Sequence, residues 1–395
     1  MSERQVVILS GVRTAIGDYG GTLKDIPPTQ LGATVVREAL ARAKVDPAEI
    51  GQCVFGSVIH TEAKDMYLAR VAAIQGGLPV TSGALTLNRL CGSGLQAIVT
   101  ASQYILLGDV DAAIGAGVES MSRAAYINPS QRWGSRMGDA KMIDMMTGAL
   151  SDPFETIHMG VTAENVARKC GISREQQDAF AVESHRRASA AIAAGYFKEQ
   201  ILPIEMKTRK GVEQFVTDEH VRADASLENM AKLKPVFAKE NGTVTAGNAS
   251  GLNDAAAAVV LMEESVAKRK GLKPMARLVS YGHAGIEPSI MGLGPVSAVK
   301  SALSKARLSL DNIDVIESNE AFAAQALGVN QELRLDAARV NPNGGAVALG
   351  HPIGATGCIL TVKAMYELQR TGKRYGLITM CIGGGQGIAA IIERL

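Results

Sequence analysis

The sequence predicts an α/β protein made of two similar halves, with a further segment inserted into the first half. Short β-rich runs alternate with amphipathic helical stretches, this alternation returns near the C-terminus, and residues 121–245 interrupt it. Alternating strands and helices are typical of α/β domains, in which helices cover the faces of a sheet. A chain of 395 residues is long enough for two or three domain-sized units and a substantial core.

The first half shows the alternation in order. Residues 5–11 predict a strand, and the apolar spacing over 31–45 predicts a helix. A second strand is predicted over 53–59, a second helix over 94–109, and a strand over 112–120 that ends in a glycine-rich run.

The second half repeats this pattern. A strand and glycine loop, a helix, a strand and loop, a second helix and a final strand region are predicted in turn at 276–285, 295–308, 314–327, 351–369 and 376–394. Sequence identity between the halves is low, so the repeat rests on the pattern alone.

The middle of the chain differs in composition. It is richer in methionine, charge and proline, and residues 172–195 predict a long helix. The following stretch, 242–262, predicts a return to the first half through a glycine-rich loop that leads into a helix of small residues. We therefore expect these units: 1–120 with 246–272 as the first half, 121–245 as an inserted domain, and 273–395 as the second half.

Composition excludes several classes of protein. Hydrophobic residues make up 47% and charged residues 20%, which is typical of a globular protein, and the net charge of +2 is too small to indicate a nucleic-acid or membrane surface. The longest apolar run, 255–262, is too short to span a bilayer, and the first residues lack a signal-peptide pattern. Five scattered cysteines without a CxxC pair argue against a disulfide framework and a structural zinc site. We expect a cytoplasmic protein with free thiols and no metal.

Cys91 is the first candidate for chemistry. It lies in NRLCGSGLQAIV (88–99), where a helix begins, and the free N–H groups at a helix N-terminus favour a thiolate. The sequence therefore predicts a depressed pKa and a nucleophilic sulfur, and Gly92 and Gly94 would let a carbonyl approach the backbone. A buried structural cysteine at a tight turn is an equal alternative.

His351 is the second candidate. It lies in NPNGGAVALGHPIGATG (341–357) with glycines on both sides. A neutral imidazole there could take the proton of a thiol and later donate a hydrogen bond to an oxyanion. A satisfied core histidine is the alternative.

Three further motifs contain reactive groups. Cys381 ends a predicted strand in CIGGGQG, which could also be a tight or phosphate-binding loop. Asn319 in SNEAFA could orient a water or the imidazole; alternatively, Glu320 is the active group, or the stretch only caps a helix. His158 lies in IHMG, either in a surface loop or in the lining of a pocket.

Together these groups predict a reaction. If the halves pack about a pseudo-twofold axis, Cys91, His351 and Cys381 meet at one centre. One thiolate then attacks an acyl carbonyl while the other moves a proton on carbon, which fits carbon–carbon bond formation between thioesters.

The four motifs NRLCGSGLQA, SNEAFAAQ, ALGHPIGATG and CIGGGQGIA resemble those of the thiolase family, in the same order. The resemblance covers the whole chain and includes GTVTAGNASGLNDAAAA. It is closest to bacterial biosynthetic β-ketothiolases (acetyl-CoA acetyltransferases) of the broad-specificity kind that supply polyhydroxyalkanoate synthesis.

The resemblance implies a fold and an activity. The fold would be two βαβαβαββ halves in a five-layered α-β-α-β-α arrangement, with an inserted loop domain over coenzyme A. The reaction would be a ping-pong Claisen condensation of two acetyl-CoA, or of acetyl-CoA with a short acyl-CoA such as propionyl-CoA, to a 3-ketoacyl-CoA and CoA, and the reverse thiolysis. The protein would be a homo-oligomer, a tetramer rather than a dimer, with no cofactor beyond its coenzyme A thioester substrates. A degradative 3-ketoacyl-CoA thiolase that prefers longer chains is the alternative; a decarboxylating condensing enzyme and a non-catalytic acyl-CoA-binding protein are more distant ones.

The resemblance also implies residue roles. Cys91 would carry the acetyl group, and His351 would activate it and, with a water held by Asn319, bind the thioester oxygen of the second substrate. Cys381 would move the α-proton, and the N–H groups of Cys91 and Gly383 would form a second oxyanion hole. Substrate contacts would come from His158 along the pantetheine path, from Met159, Met291 and Phe322 near the acyl group, and from Leu150, Arg222, Ala246, Ser250 and Leu252 on coenzyme A, with Arg222 against the adenine. Cys358 would be a buried bystander.

Overall fold

The computed structural model describes residues 4–208 and 211–395. Residues 1–3, which the predicted first half includes, and 209 and 210, which the predicted inserted domain includes, lie outside the described residues. The strands are β1 (Val6–Thr14), β2 (Gly17–Asp18), β3 (Gln52–Gly56), β4 (Gly83–Leu87), β5 (Ala112–Ser120), β6 (Tyr126–Ile127), β7 (Ile143–Asp144), β8 (Ile201–Leu202), β9 (Ile204–Thr208), β10 (Gly211–Phe215), β11 (Asn253–Glu263), β12 (Ala276–Gly285), β13 (Val315–Ser318), β14 (Tyr375–Ile382) and β15 (Gln386–Arg394).

The helices follow the predicted order. They are α1 (Pro28–Ala43), α2 (Leu68–Gln75), α3 (Ser93–Leu107), α4 (Met145–Ala149), α5 (Met159–Cys170), α6 (Arg174–Ala193), α7 (Leu227–Ala231), α8 (Glu264–Arg269), α9 (Gly294–Ala306), α10 (Ala323–Leu333), α11 (Ala346–Leu349) and α12 (Thr356–Thr371). Short 3₁₀ turns connect several of them. The long helix predicted over 172–195 is α6.

The two halves of the chain repeat one sheet topology. Strands β4-β3-β5-β11-β1 form the first half of the sheet, and β13-β14-β15-β12 form the second in mirrored order. A bridge between Ile316 and Val340 stands beside β13, as β4 stands beside β3. The two halves join through a short antiparallel contact of β1 with β12, at Val7 with Arg277 and Ile8 with Ala276. The predicted α/β class with two similar halves is confirmed.

Helices cover the sheets in five layers. Helix α3 packs on β3 and β5, α12 packs on β13 and β14, and α3 and α12 contact each other between the two halves of the sheet. Helix α1 covers the other face of the first half, and α9 covers that of the second. Within the described residues, the one stretch with the length and composition of a membrane span, 90–107, is the central α3 region, and 56% of it is buried.

Strand β11 corrects one prediction. The alanine-rich run after residue 252 is not a helix but a strand of which every residue is buried. It pairs with β1 and β5, and α1, α3 and α12 pack against it. Small side chains suit a central strand with helices close on both faces, and this packing overrides the helix propensity of alanine.

The central helices meet almost backbone to backbone. A Cβ atom on Gly117 would overlap the carbonyl oxygen of Gly354, and one on Gly357 would overlap the backbone of Leu95 at the start of α3. Glycine is required at these points because no side chain fits between the two halves. This contact brings the start of α3 and the loop before α12 to one place.

The segment before residue 222 ties the inserted domain to the first half. Arg13 and Asp218 form a fully buried ion pair at 2.7 Å, and the Arg13 guanidinium lies over the ring of Phe197. Next along the chain, the carboxylate of Glu219 accepts the backbone N–H of Asp18. Because breaking a buried pair leaves an uncompensated charge, this anchor fixes the segment that leads to Arg222.

Candidate active site

A sharp turn places Cys91 just before α3. Leu90 adopts a left-handed backbone conformation with φ of +44°, which is uncommon for a branched residue and frequent at functional sites. The Ser93 hydroxyl donates to the Leu90 carbonyl at 2.6 Å and accepts the Arg89 N–H at 2.8 Å, so the turn is held by its own residues. The thiol consequently sits where the central helix begins.

The surroundings of Cys91 change the prediction for its acidity. Burial raises the pKa of the Cys91 thiol to about 11, although the backbone N–H groups of Gly383 and of Cys91 itself interact with the sulfur and lower it. The buried carboxylate of Glu119 raises this pKa further. The predicted depressed pKa is therefore wrong, because desolvation outweighs the helix N-terminus. A thiol of this pKa needs a base to become a nucleophile.

His351 has the tautomer such a base requires. The Thr356 hydroxyl lies 2.7 Å from His351 Nδ1 and donates to the Pro352 carbonyl at 3.0 Å. A hydroxyl has one proton, so it satisfies both contacts when Nδ1 carries the imidazole proton and donates to it. Nε2 is then left as the proton acceptor. Burial lowers the pKa of His351 to about 4, so the ring is neutral near pH 7.

Asn319 approaches the same nitrogen, and Glu320 does not. The Asn319 Nδ2 lies 3.3 Å from His351 Nε2, in agreement with Nε2 as an acceptor. The buried Asn319 Oδ1 has no hydrogen-bond partner within the described residues. The Glu320 carboxylate accepts hydrogen bonds from Ser184 Oγ, Asn341 Nδ2 and the Val347 N–H. Glu320 therefore supports the neighbouring loops, and these hydrogen bonds do not involve the imidazole.

Cys381 lies at the end of β14 and is surrounded by apolar side chains. It is buried and packs in one cluster with Met159, Met291 and Phe322. Burial raises the pKa of the Cys381 thiol, and electrostatic interaction with Cys91 raises it further. Cys91 in turn packs with Ile353, two residues from His351, so both thiols lie near the loop that carries the imidazole.

The other three cysteines have different surroundings. Burial raises the pKa of Cys53 to about 12, and it raises that of Cys358, whose thiol donates weakly to the Gly115 carbonyl at 3.7 Å. Cys170 is half-buried at the end of α5. Among the described residues, neither buried thiol forms a hydrogen bond with a basic side chain.

A cavity of about 530 Å³ leads to the imidazole. Several residues that the sequence assigned to substrate binding line it: Leu150, His158, Arg222, Ala246, Ser250, Leu252 and Phe322, together with His351. Met159 and Met291 instead form the apolar wall beside Cys381. Cys91 belongs to the apolar cluster of Leu150, Leu252 and Ile353, which are themselves cavity residues. The volume is in the range of small-molecule and cofactor sites.

His158 is part of this cavity and not of a free surface loop. Its Nδ1 accepts the Gly160 N–H at 3.0 Å and so caps α5, and burial lowers its pKa. Its ring stacks on Phe237 at 4.6 Å between centroids, and Phe237 meets Phe322 edge-on at 6.2 Å. These rings form an apolar wall along one side of the cavity.

Sequence reasoning missed four residues of this site. Thr356 and Phe237 contact the predicted histidines, while Asn253 and Glu119 bind the loop that carries His351. Of the four, only Glu119 could have been noticed in the sequence, because a carboxylate near the end of an apolar strand is rarely buried without a hydrogen-bond partner. Among the described residues, no group of three or more His, Cys, Asp or Glu side chains could hold a metal ion.

Comparison with known proteins agrees with this architecture. The family model for the thiolase N-terminal domain matches residues 6–265, and that for the thiolase C-terminal domain matches residues 272–394. The chain is 67% identical to the β-ketothiolase BktB of Cupriavidus necator over 99% of this chain and 100% of the relative. It is 51% identical to an acetyl-CoA acetyltransferase of Chromobacterium violaceum over 99% of this chain and 100% of that protein.

A solved structure extends the likeness to three dimensions. The human mitochondrial 3-ketoacyl-CoA thiolase in complex with CoA superimposes with a TM-score of 0.95 at 44% identity, covering 99% of this chain and 98% of that one. This chain belongs to the thiolase family. Its fold is the thiolase fold, with the inserted domain beside the cavity that leads to His351.

Proposed function

We propose that this protein is a biosynthetic β-ketothiolase, an acetyl-CoA C-acetyltransferase. It joins two acetyl-CoA, or acetyl-CoA and a short acyl-CoA such as propionyl-CoA, to a 3-ketoacyl-CoA and CoA, and it catalyses the reverse thiolysis. The observation that carries the proposal is that Cys91 and Cys381 interact electrostatically beside a cavity lined by His351, whose neutral ring has Nε2 as a proton acceptor. The names of the relatives at 67% and 51% identity support the biosynthetic type over the degradative alternative.

The first half-reaction follows from the protonation states. Cys91 is protonated, so its proton passes to His351 Nε2 as the sulfur attacks the thioester carbonyl. The N–H groups of Cys91 and Gly383, which both interact with this sulfur, lie close enough to donate to the developing oxyanion. The carbon–sulfur bond to CoA then breaks, and the leaving thiolate takes the proton of Cys381. Acetyl-Cys91, an imidazolium and a Cys381 thiolate remain.

The second half-reaction restores these states. The Cys381 thiolate removes the α-proton of the second acetyl-CoA, and the resulting carbanion attacks the acetyl carbonyl on Cys91. The Cys91 sulfur leaves as a thiolate and regains its proton from the imidazolium. The oxygen of the second thioester would be held by His351 and by a water on Asn319, whose Oδ1 has no partner among the described residues. Protons and bonds balance over the two steps without a redox group.

We assign the substrate contacts as follows. His158 borders the pantetheine path, Met159, Met291 and Phe322 border the acyl group, and Leu150, Arg222, Ala246, Ser250 and Leu252 contact coenzyme A. The cavity lining supports the assignment for all of these except the two methionines, which lie with Cys381. Arg222 places a permanent positive charge at this cavity, which suits a ligand with phosphates.

We further propose a cytoplasmic homotetramer that supplies polyhydroxyalkanoate synthesis. The likeness to BktB and the motifs support the pathway. The inserted domain exposes large apolar side chains, among them Tyr126, Trp133 at 88% and Met137 at 96%, which suits a surface covered by another copy. Light scattering tests the assembly: Trp133→Ser should reduce the tetramer to dimers, and a wild-type protein that is already dimeric would contradict it.

Mass spectrometry tests the reaction. The protein is mixed with acetyl-CoA, quenched in acid, digested and searched for acetyl on the Cys91 peptide. We expect this acetyl group to form and to disappear when CoA is added, while Cys91→Ser has no turnover and Cys170→Ser, a matched change outside the cavity, is unaffected. If Cys91 stays unmodified in active protein, Cys91 is not the nucleophile. Binding of acetyl-CoA without turnover would instead support a non-catalytic binding protein, and activity with malonyl thioesters a decarboxylating enzyme.

A further inference from the structure

Two buried side chains of the first half hold the loop that carries the catalytic imidazole. Asn253 Oδ1 accepts the backbone N–H of His351 at 2.8 Å, and Glu119 Oε2 accepts that of Gly354 at 2.8 Å. Asn253 begins β11 and Glu119 lies near the end of β5, and these strands pair side by side. The first half thus binds this loop of the second half through two backbone N–H groups, those of His351 and Gly354, three residues apart.

The orientation of the Asn253 amide is fixed from its other side. Asn253 is fully buried, and its Nδ2 donates to the Gly17 carbonyl at 3.1 Å and to Asp18 Oδ1 at 3.3 Å. The oxygen must therefore face the His351 N–H. Gly350 allows this approach, because it has a φ of +105° and a Cβ there would collide with the Asn253 side chain.

The contacts of Asp18 extend this arrangement to the cavity. Its Oδ1, which accepts from Asn253, also lies 2.6 Å from Nδ1 of His220. His220 lines the same cavity as His351. Asn253 is therefore tied both to the imidazole loop and to a side chain that borders the proposed substrate.

Glu119 holds two chain segments with one carboxylate. It is fully buried and accepts the N–H groups of Val58 and Ile59, both at 3.1 Å, in addition to that of Gly354. No lysine or arginine in the described part of the chain forms an ion pair with it. Burial raises its pKa to about 8, and only backbone donors favour the charged form. Burying a carboxyl group costs free energy, and the hydrogen bonds that Glu119 accepts from the two chain segments explain its presence here.

We propose that Asn253 and Glu119 are positioning residues that set the separation of His351 Nε2 from Cys91 Sγ. This inference rests on the proposed function. The two reacting groups come from different halves of the chain, and proton transfer needs them within hydrogen-bond reach. Thr356 orients the ring within its own loop, but it cannot place that loop against Cys91. Asn253 and Glu119 can, because they belong to the half that carries the thiol.

A pair of asparagine variants tests the first contact. Asn253→Ala removes the acceptor of the His351 N–H. Asn343→Ala is the matched control, because Asn343 is also buried and its amide donates to Glu367 Oε2 at 2.8 Å, a contact outside the loop that carries His351. We expect Asn253→Ala to slow acetylation of Cys91 at saturating acetyl-CoA by roughly tenfold to a hundredfold, with KM changed by less than about threefold. The control should retain wild-type rates.

A pair of glutamate variants separates reach from charge. Glu119→Asp keeps an ionisable carboxyl group but withdraws it from the Gly354 N–H, whereas Glu119→Gln cannot ionise but keeps the reach and can rotate its oxygen toward Gly354. Positioning predicts that Glu119→Asp loses more activity than Glu119→Gln. The reverse order would show that the ability to ionise near Cys91 matters more than the reach, and it would overturn the role proposed for Glu119.

A second readout does not depend on turnover. The rate of Cys91 alkylation by iodoacetamide is followed from pH 6 to 10, with His351→Asn as the reference for a thiol without its base. Asn253→Ala should move toward the steeper profile of His351→Asn. A wild-type profile in folded Asn253→Ala, or equal losses in Asn253→Ala and Asn343→Ala, would overturn the proposal.

The outcomes remain decisive if one variant or the proposed function fails. Circular dichroism reports folding, and if Asn253→Ala does not fold, the order of the Glu119 variants decides. If the wild type never acetylates Cys91, the proposed function fails. The alkylation profiles then still show whether the two contacts place the imidazole beside the thiol.

Discussion

Thr356 offers the sharpest test of the imidazole tautomer. Its hydroxyl accepts the Nδ1 proton of His351 and donates to Pro352, so Thr356→Val removes an acceptor while it nearly preserves shape. The buried Nδ1–H then either loses its partner or moves to Nε2, where it blocks the acceptor that Cys91 needs. A buried donor without a partner costs about 1–3 kcal/mol. Since each 1.36 kcal/mol is a factor of ten in rate, we expect kcat to fall roughly fivefold to 150-fold.

Thr361 supplies a matched control on the same helix. It is buried, and its hydroxyl donates to the Gly357 carbonyl at 2.8 Å, as that of Thr356 donates to Pro352, but it has no contact with the ring. Thr361→Val should lose a similar stability, of order 1 kcal/mol, and keep its kcat. Thr356→Ser should retain most activity, because it restores the hydroxyl.

The assay compares initial thiolysis rates with thermal unfolding for all three variants. An active Thr356→Val, or a loss of kcat in Thr361→Val as large as that in Thr356→Val, would refute the tautomer assignment. In the second case helix stability, and not the imidazole, would explain the effect.

Three further predictions concern protons and charges. Cys381→Ser should still accept acetyl on Cys91 but should not exchange the α-protons of acetyl-CoA with D2O; full deuterium exchange would contradict its role. The folded pKa of His351, about 4, lies below its ordinary value of 6.5, so its contribution to stability is complete above pH 6.5 and is lost as pH falls toward 4. Chemical unfolding should therefore show that the wild type loses about 3 kcal/mol more than His351→Asn between pH 7 and pH 4, and parallel curves would refute this. Lys363 and Glu317 form a buried ion pair at 2.8 Å, so Lys363→Met should lower the free energy of unfolding in urea by about 3–5 kcal/mol. The double variant Lys363→Met with Glu317→Leu should recover part of this loss. A loss below about 1 kcal/mol in the single variant would show that Glu317 is neutral or solvated there.

Much of the fold could be predicted because its signals are local. Apolar spacing and glycine punctuation identified the order of strands and helices in both halves, and the four motifs identified the family. Strand β11 could not be recognised, because alanine is small enough for either structure and only its position between β1 and β5 decides.

The site was predictable in its residue types but not in its energetics. The acidity of Cys91 depends on burial by distant segments, which no local pattern reports. Asn253 and Glu119 escaped notice because they lie 98 and 235 residues from the groups that they bind. Thr356 is only five residues from His351, but its role depends on a loop geometry that spacing does not specify.

The repeated topology of the halves has a consequence for how such a site can originate. Helices α3 and α12 occupy equivalent places, and the thiol and the imidazole stand just before them. Two identical subunits in this arrangement would present the same side chain at both places, either two thiols or two imidazoles. A single chain that contains both copies removes this constraint, so each copy can specialise. Fusion of a duplicated gene would thus be sufficient to turn a symmetric contact into a nucleophile and its base.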